Sequence, residues 1–355
     1  MPIIKSHLPF KESFVPPTLA DRDAEVHFFQ KHFEPLTHGD VQPVGVHVVG
    51  GMGTGKTVTV KVVLENASIP TVYLNMNSLT KAKTYQALSQ IVEFFKVQPY
   101  GSISRLESVI RQFAGEKPFV VILDEVDDCP SEELDKVIHF LSRETAVTII
   151  VISRKPDVIY KLSRDTIDGF KYRECLLHQY SEEELVLILK QRQALALHPG
   201  TCDVEVLKAI AKKAANTGSA RYALDLLGEI AMLAEADSLE KISVNLIEEA
   251  EVNLEKNLVQ KMIGNLPPAQ QTILKCLFAA RDRGQTLTLP QLRSEVQQLM
   301  SNMKIGIITD RMFYDVLADL KICGLVATQR VSLGQGKGFD YYVELAETLK
   351  YQKLG

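Results

Sequence analysis

Within "VVGGMGTGKTVTV" the residues Gly50, Gly55, Lys56 and Thr57 stand in the order Gly-x-x-x-x-Gly-Lys-Thr. That spacing suits a bound triphosphate. Glycines clear away the side chains that would block approach, so several backbone N–H groups converge on the phosphates, and a helix beginning there adds its dipole. The candidate cradle is Gly53, Thr54, Gly55, Lys56, Thr57 and Val58. In it Lys56 reaches the β/γ-phosphates of the triphosphate and the Thr57 hydroxyl ligates Mg2+. A second segment, "KPFVVILDEVDD", closes an apolar run with Asp124 and Glu125. Asp124 is placed to hold the Mg2+ shell together with Thr57, and Glu125 to polarise an attacking water. Asp127 and Asp128 read as solvated turn charges or as a cap for the helix over "SEELDKVIHFL".

These groups need rigid elements behind them. "GVHVVGG" predicts a buried strand through Val46, Val48 and Val49, and "KTVTVKVVLENA" a helix through Val58, Val62 and Val63. Phe119 to Leu123 suit a strand buried on both faces, as in a parallel sheet. A further strand, "AVTIIVIS", ends at Ser153 and Arg154. Ser181 and Glu184 form a capping box at the start of the helix over "SEEELVLILKQRQALAL". "NTGSARYALDLLGEIAMLAEA" opens a helix with Arg221 in its first turn, where a helical lid can turn an arginine back toward a nucleotide.

The last ninety or so residues change character. "LPPAQQTILKCLFAARDRG", "TLTLPQLRSEVQQLM" and "TDRMFYDVLADLKICG" predict three helices, the third capped by Thr309 or Asp310 with Phe313, Leu317, Leu320 and Ile322 on an apolar stripe. "LVATQRVSLGQGKGFDYYVELA" then predicts strand, glycine-rich turn, strand. Three helices followed by a hairpin predict a winged helix. From Leu258 onward there are twelve Lys+Arg against eight Asp+Glu, whereas the preceding residues have 28 against 36. A chain of net charge −4 therefore concentrates its basic surface here. Arg311 opens the candidate recognition helix, and Arg330 and Lys337 bracket the candidate wing, as duplex DNA contacts.

Composition bounds the rest. At 355 residues, 46% apolar and 24% charged, the chain has room for two or three domains with ordinary cores. Its five cysteines are far apart with no CxxC pair, which fits neither a disulfide framework nor a zinc site and points to a reducing compartment. No apolar run is long enough to span a membrane, and "MPIIKSHLPFKESF" lacks the blocks of a signal peptide. A cytoplasmic, nucleoid-associated protein is expected.

With these motifs in hand the chain resembles the archaeal replication-initiator family, the AAA+ relatives of the eukaryotic origin recognition complex and its helicase-loading partner. "FVPPTLADRDAEV" looks like the family's N-terminal motif, and "GMGTGKT", "VVILDEVD", "YSEEELVLILKQR" and "GSARYALDLL" follow in family order. The resemblance implies that Tyr180 and Arg192 contact ATP, that Arg221 is the lid arginine called sensor 2, and that residues 75–115 hold inserted helices that touch DNA beside the winged helix. In AAA+ ATPases the end of the third strand carries a polar residue facing the γ-phosphate, for which Ser153 or Arg154 is the candidate. The family usually has Ser-Asn there. Its Asp-Pro-Arg motif, which carries the arginine finger, is reduced to "LSRDT", with Arg164 the nearest candidate. The expected fold is α/β: an AAA+ P-loop ATPase domain over 1–179, a helical lid over 180–262 and a winged-helix DNA-binding domain over 263–355. The implied function is an ATP/ADP-switched, Mg2+-dependent initiator with weak ATPase activity. Its implied partners are origin duplex DNA, the replicative helicase and other initiator paralogues. Two alternatives stay open: a nucleotide-switched transcription regulator, and a loader ATPase whose winged helix contacts protein.

Overall fold

The computed structural model describes residues 2–37, 45–80, 82–114, 119–145, 147–304, 306, 308–332, 339–346 and 349. It divides into two units, Met1–Ala250 and Glu251–Gly355.

The first unit is built on five parallel strands, β1 (Gly45–Gly50), β2 (Thr71–Asn75), β3 (Val120–Asp124), β4 (Thr148–Ser153) and β5 (Tyr172–Leu177), in the order β2-β3-β4-β1-β5. Every residue of β1, β3 and β4 is buried, as a sheet covered on both faces requires. Side-chain alternation sorts the strands into two cores. Val46, Val48, Val120, Ile122, Ile150 and Ile152 face one core with residues of α1 (Asp23–Thr37) and α2 (Lys56–Asn66). Val121, Leu123, Ile149 and Val151 face the other, with residues of α3 (Lys83–Phe94), α4 (Ile103–Ala114) and α5 (Ser131–Glu144). The short helices α6 (Asp157–Tyr160) and α7 (Arg164–Phe170) lead into β5. The expected helices within 75–115 are α3 and α4, which pack on each other and on this second core.

Strand β5 has no counterpart in the hydrophobic pattern. It is an edge strand beside β1, with Arg173, Glu174 and Leu176 exposed and only Cys175 and Leu177 buried. Beyond it lie three helices, α8 (Glu182–Ala196), α9 (Val204–Ala215) and α10 (Ala220–Ala236). The Ser181–Glu184 capping box is present at the start of α8 in both directions. The N-terminal residues 3–10 pack here too: Lys5 and Ser6 N–H groups donate to Ala196 O, and Gly228 of α10 sits against Phe10.

The unit boundary falls inside α11 (Ile247–Asn265). The second unit continues with α12 (Pro268–Asp282), β6 (Leu287–Thr288), α13 (Leu289–Asn302), α14 (Asp310–Ile322), β7 (Val326–Ser332) and β8 (Phe339–Leu345), the sheet running β6-β8-β7. The three helices and the hairpin match the expected winged helix. The two-residue β6, which joins the hairpin as a third strand, is too short to leave a pattern. Thr309 caps α14 by accepting from Met312 N–H. Phe313, Leu317 and Leu320 are buried as expected, but Ile322 is 84% exposed. It lies two residues past Leu320, about 200° around the helix, and so falls on the opposite face.

Candidate nucleotide site

All five parallel strands present their carboxyl ends on one side, where ligands of open α/β sheets bind. Between β1 and α2 the glycine loop turns with Gly53 at φ +72° and Gly55 at φ +83°. Neither position tolerates a side chain. A Cβ at Gly53 would collide with Ser219 Oγ, and one at Gly55 would meet Tyr180 Oη at 2.5 Å. The lid is bonded to this loop through Ala220 N–H, which donates to Gly53 O at 3.1 Å, and Tyr180 N–H donates to Gly218 O at 3.2 Å just before α10.

Lys56 folds back over the loop. Its Nζ donates to Gly50 O and Gly51 O, both at 2.7 Å. Burial lowers its pKa, while the carboxylates of Asp124 and Asp127 act in the opposite sense. Asp124, at the end of β3 and only 3% exposed, is surrounded by donors. Its Oδ2 accepts from Thr57 Oγ1 at 2.7 Å and from Tyr73 Oη at 2.9 Å, and its Oδ1 from Glu125 N–H at 2.8 Å. Thr57 and Asp124, the two expected Mg2+ ligands, are thus adjacent. Glu125 adopts a left-handed conformation, φ +53°, and its Oε2 accepts from Asn75 Nδ2 at 3.0 Å. The Asn75 amide cannot be flipped, because its Oδ1 accepts from the N–H groups of Asn77 and Ser78.

The two candidates at the end of β4 separate. The Ser153 hydroxyl donates to Lys155 O at 2.7 Å, so His47 must donate to it from Nε2 at 2.8 Å. His47 thus carries a proton on Nε2, and burial, which holds its pKa down to about 4, favours the neutral ring. Arg154 lines the cavity but is held by acids: its Nη2 meets Asp128 at 2.8 Å and its Nε meets Asp127 at 3.4 Å. The reading of Asp127 as a solvated or capping charge is corrected here. Its side chain is only 8% exposed and accepts from the N–H groups of both Arg154 and Lys155, closing the end of β4.

The opposite wall comes from the lid and the N-terminal segment. Tyr180 is buried, which raises its phenol pKa. Beneath it lies Arg22, which sequence reading placed only within the N-terminal motif. Arg22 stacks 4.0 Å from the Tyr180 ring and donates to Tyr180 Oη, Thr54 O and His178 O, so it ties the glycine loop to the residues that follow β5. Arg192, on α8, is 7% exposed and stacks 4.7 Å from the Phe14 ring. Its Nε and Nη1 have no hydrogen-bond partner among the described residues, although it lines the cavity. Arg221 lines the cavity as well and forms an ion pair with Glu12.

The space enclosed is about 390 Å³. Phe10, Phe14, Pro16, Leu19 and Ile188 give it an apolar wall, against which Arg192 stacks through Phe14, while Lys56 and Asp124 give it polar groups beside the glycine loop. A nucleotide fits this division: a flat base for the apolar wall, and phosphates for the glycine cradle. A buried guanidinium without a partner is costly unless a ligand supplies one, and Arg192 meets that condition.

Arg164 is exposed at the start of α7 and is not among the residues lining the cavity. In the second unit Arg311 is 94% exposed, 3.9 Å from Asp315, and Arg293 pairs with Asp310. Arg330 is exposed and covers the Phe339 ring at 3.7 Å. Lys337 lies outside the described residues. Among the described residues no helix is long and apolar enough to cross a membrane.

Known proteins share this organisation. A Cdc6 AAA+ ATPase-type lid model matches residues 186–252, the model of the ATPase family associated with various cellular activities matches 46–172, and a CDC6 C-terminal winged helix model matches 261–351. The ORC1-type DNA replication protein 1 of Sulfurisphaera tokodaii is 26% identical over 339 residues, 91% of this chain and 85% of that protein. Aeropyrum pernix ORC1, solved in complex with DNA, has the same fold at a TM-score of 0.76 and 23% identity, covering 98% of this chain and 95% of that one. Aeropyrum pernix ORC2, solved as ADPNP–ADP complexes, follows at 0.60 and 20% identity, with the same coverage of 98% and 95%. The lid and winged-helix models are particular to Cdc6 and follow an AAA match in the expected order, so the chain belongs to the archaeal origin-recognition AAA+ family, the relatives of Cdc6 and ORC1.

Proposed function

We propose that the protein is an ATP-dependent DNA replication initiator. In this reading it binds origin duplex DNA through its winged helix and through α3 and α4, and it helps to recruit the replicative helicase. The observation that carries the nucleotide part is the buried guanidinium of Arg192, whose Nε and Nη1 have no partner among the described residues, on the cavity that the glycine cradle also lines. A nucleotide held between the two would couple the lid to the strand ends, which is what a switch needs. The relatives support the DNA part: they are named replication proteins, and the ORC1 structure contains DNA.

Mg2+ held by Thr57 and Asp124 would supply charge neutralisation at the β/γ-phosphates. The protein's own groups do the rest. Lys56 exchanges two loop carbonyls for phosphate oxygens. Glu125 polarises water once released by Asn75. Arg221 turns from Glu12 to the phosphates, and Arg164 serves a neighbouring subunit's nucleotide. Hydrolysis is slow in this reading, because Arg154 stands in the sensor position with two carboxylates on it. The working location is the cytoplasm at the nucleoid, with paralogous initiators as further partners. The domain boundaries fall at 179 and 262.

One observation favours the loader reading, in which the winged helix contacts protein. Helix α14 carries Asp310, Asp315 and Asp319 against Arg311 and Lys321, and two of the acids lie against arginines. A DNA-facing unit with such a helix must grip mainly through its wing. The double substitution Arg330→Ala and Lys337→Ala tests this by salt titration of duplex affinity. Loss of two phosphate contacts should flatten the log–log slope by about two units and leave ATP affinity unchanged. The exposed Tyr100 and Arg105, 3.1 Å apart before and on α4, should sustain residual binding. Wild-type slope and affinity in the double variant would favour the loader.

A further inference from the structure

Tyr73 has no part in the proposed function, yet among the described residues it is the one side chain besides Thr57 that donates to the Asp124 carboxylate. It lies on the edge strand β2, in register with Ile122, as Asn75 is with Asp124. Neighbours in register on parallel strands share a face, and so do residues two apart. Tyr73, Asn75 and Asp124 therefore project to the same side, where α2 lies. The Tyr73 hydroxyl donates to Asp124 Oδ2 at 2.9 Å, the same oxygen that accepts from Thr57 at 2.7 Å. One turn along α2 from Thr57, Lys61 sets its ammonium 3.9 Å from the centre of the Tyr73 ring. A closed circuit results, running Asp124, Thr57, α2, Lys61, Tyr73 and back to Asp124. Thr57 and Lys61 are four residues apart and so share one helix face. A second cavity is lined by Tyr73, Lys61, Thr57, Asp124, Glu125 and Arg221, so the ring is a wall of the space beside the carboxylates.

The hydroxyl is what distinguishes this residue. Tyr73 is 37% exposed on an edge strand, so packing alone would accept a phenylalanine. The three donors on Asp124 differ in what a bound metal would ask of them. Thr57, as a ligand, would turn its lone pair to the ion, and the Glu125 N–H is a main-chain donor from the adjacent residue. The Tyr73 hydroxyl, with its ring against the Lys61 ammonium, would keep its bond to the carboxylate beside the metal.

We propose that Tyr73 is a positioning residue for the Mg2+ site, fixing the Asp124 carboxylate in the orientation that completes the metal shell. The proposal rests on the reading of Thr57 and Asp124 as Mg2+ ligands. Partners that orient a metal's ligands typically carry 10-fold or more of its affinity.

The test is Tyr73→Phe, which keeps the ring and its contact with Lys61. Affinity for a fluorescent ADP analogue is measured in EDTA and across a Mg2+ titration. The expected result is a Mg2+ half-point raised about 10-fold with the affinity in EDTA unchanged. An unmoved half-point would overturn the proposal. So would an equal loss of affinity with and without Mg2+, since that is damage to the site as a whole. Wild-type affinity that does not respond to Mg2+ would remove the Mg2+ reading itself, and the proposal with it.

Discussion

The two walls of the nucleotide site satisfy their polar groups in opposite ways. At the strand ends almost every group already has a protein partner. Lys56 holds two carbonyls, Asp124 holds three donors, Asn75 holds Glu125, and Arg154 is held by Asp127 and Asp128. On the lid side Arg192 is buried with two nitrogens that have no partner among the described residues. The difference assigns each wall a task. The strand ends form a preorganised lattice whose bonds a nucleotide exchanges one for one, with little net change per bond. The lid holds an unmet demand that only a ligand relieves, so the lid's position should depend on occupancy more than the strand ends do. Arg221 is intermediate: it has a partner, Glu12, but that carboxylate comes from the N-terminal segment and is 67% exposed.

His47 is the exception at the strand ends, because its Nδ1 has no partner among the described residues. Its imidazole lies edge-on to Tyr172, 5.7 Å between ring centres, and Asp127 is the acid that favours its protonation. Burial outweighs that acid and puts the folded pKa at about 4, against 6.5 for a free imidazole. Between those values the unfolded chain binds more protons than the folded one. The stabilisation is therefore present at pH 7 and is lost as pH falls from about 6.5 toward 4. On going from pH 7 to pH 5, wild type should lose about 2 kcal/mol more unfolding free energy than His47→Gln. Equal losses in urea titrations at the two pH values would remove His47 from the lattice.

Lys56→Ala attacks the exchange directly. ATP affinity should fall about 10-fold or more, about 1.4 kcal/mol per decade, as read by calorimetric titration. Unchanged affinity would show that the lattice does not receive phosphate. A smaller effect is expected from Arg154→Asn, which takes the guanidinium off Asp127 and Asp128 and puts an amide in its place. Single-turnover hydrolysis should rise by a few-fold, about 1 kcal/mol or less in barrier. No change would clear Arg154 as the brake.

The same contrast explains what the sequence makes legible. The glycine loop, Thr57, Asp124 and Glu125 stand out because each chemistry is written in contiguous residues. The Ser181 capping box and the Phe313–Leu317–Leu320 stripe are equally local. Arg22, Tyr73 and Asn75 leave no such mark. Arg22 reaches Tyr180 across 158 residues, and Tyr73 and Asn75 reach their acids only through the β2–β3 register. Asp127 looked solvated because "DEVDD" is acidic throughout, and only the return of β4 brings Arg154 onto it. Edge strand β5 lost its hydrophobic signature because one side of it meets solvent. Ile322 shows the converse, an apolar residue counted into a stripe whose helical phase it does not share.

Arg192→Met tests the contrast between the walls most directly, by thermal melting with and without ATP. Methionine fills the space beside Phe14 without a buried guanidinium. The account predicts a free protein that melts higher, by roughly 1 kcal/mol of added stability, together with a smaller ATP-induced shift than wild type. A free protein that melts lower while keeping the full ATP shift would mean that Arg192 serves the lid's own packing, and that no ligand is awaited there.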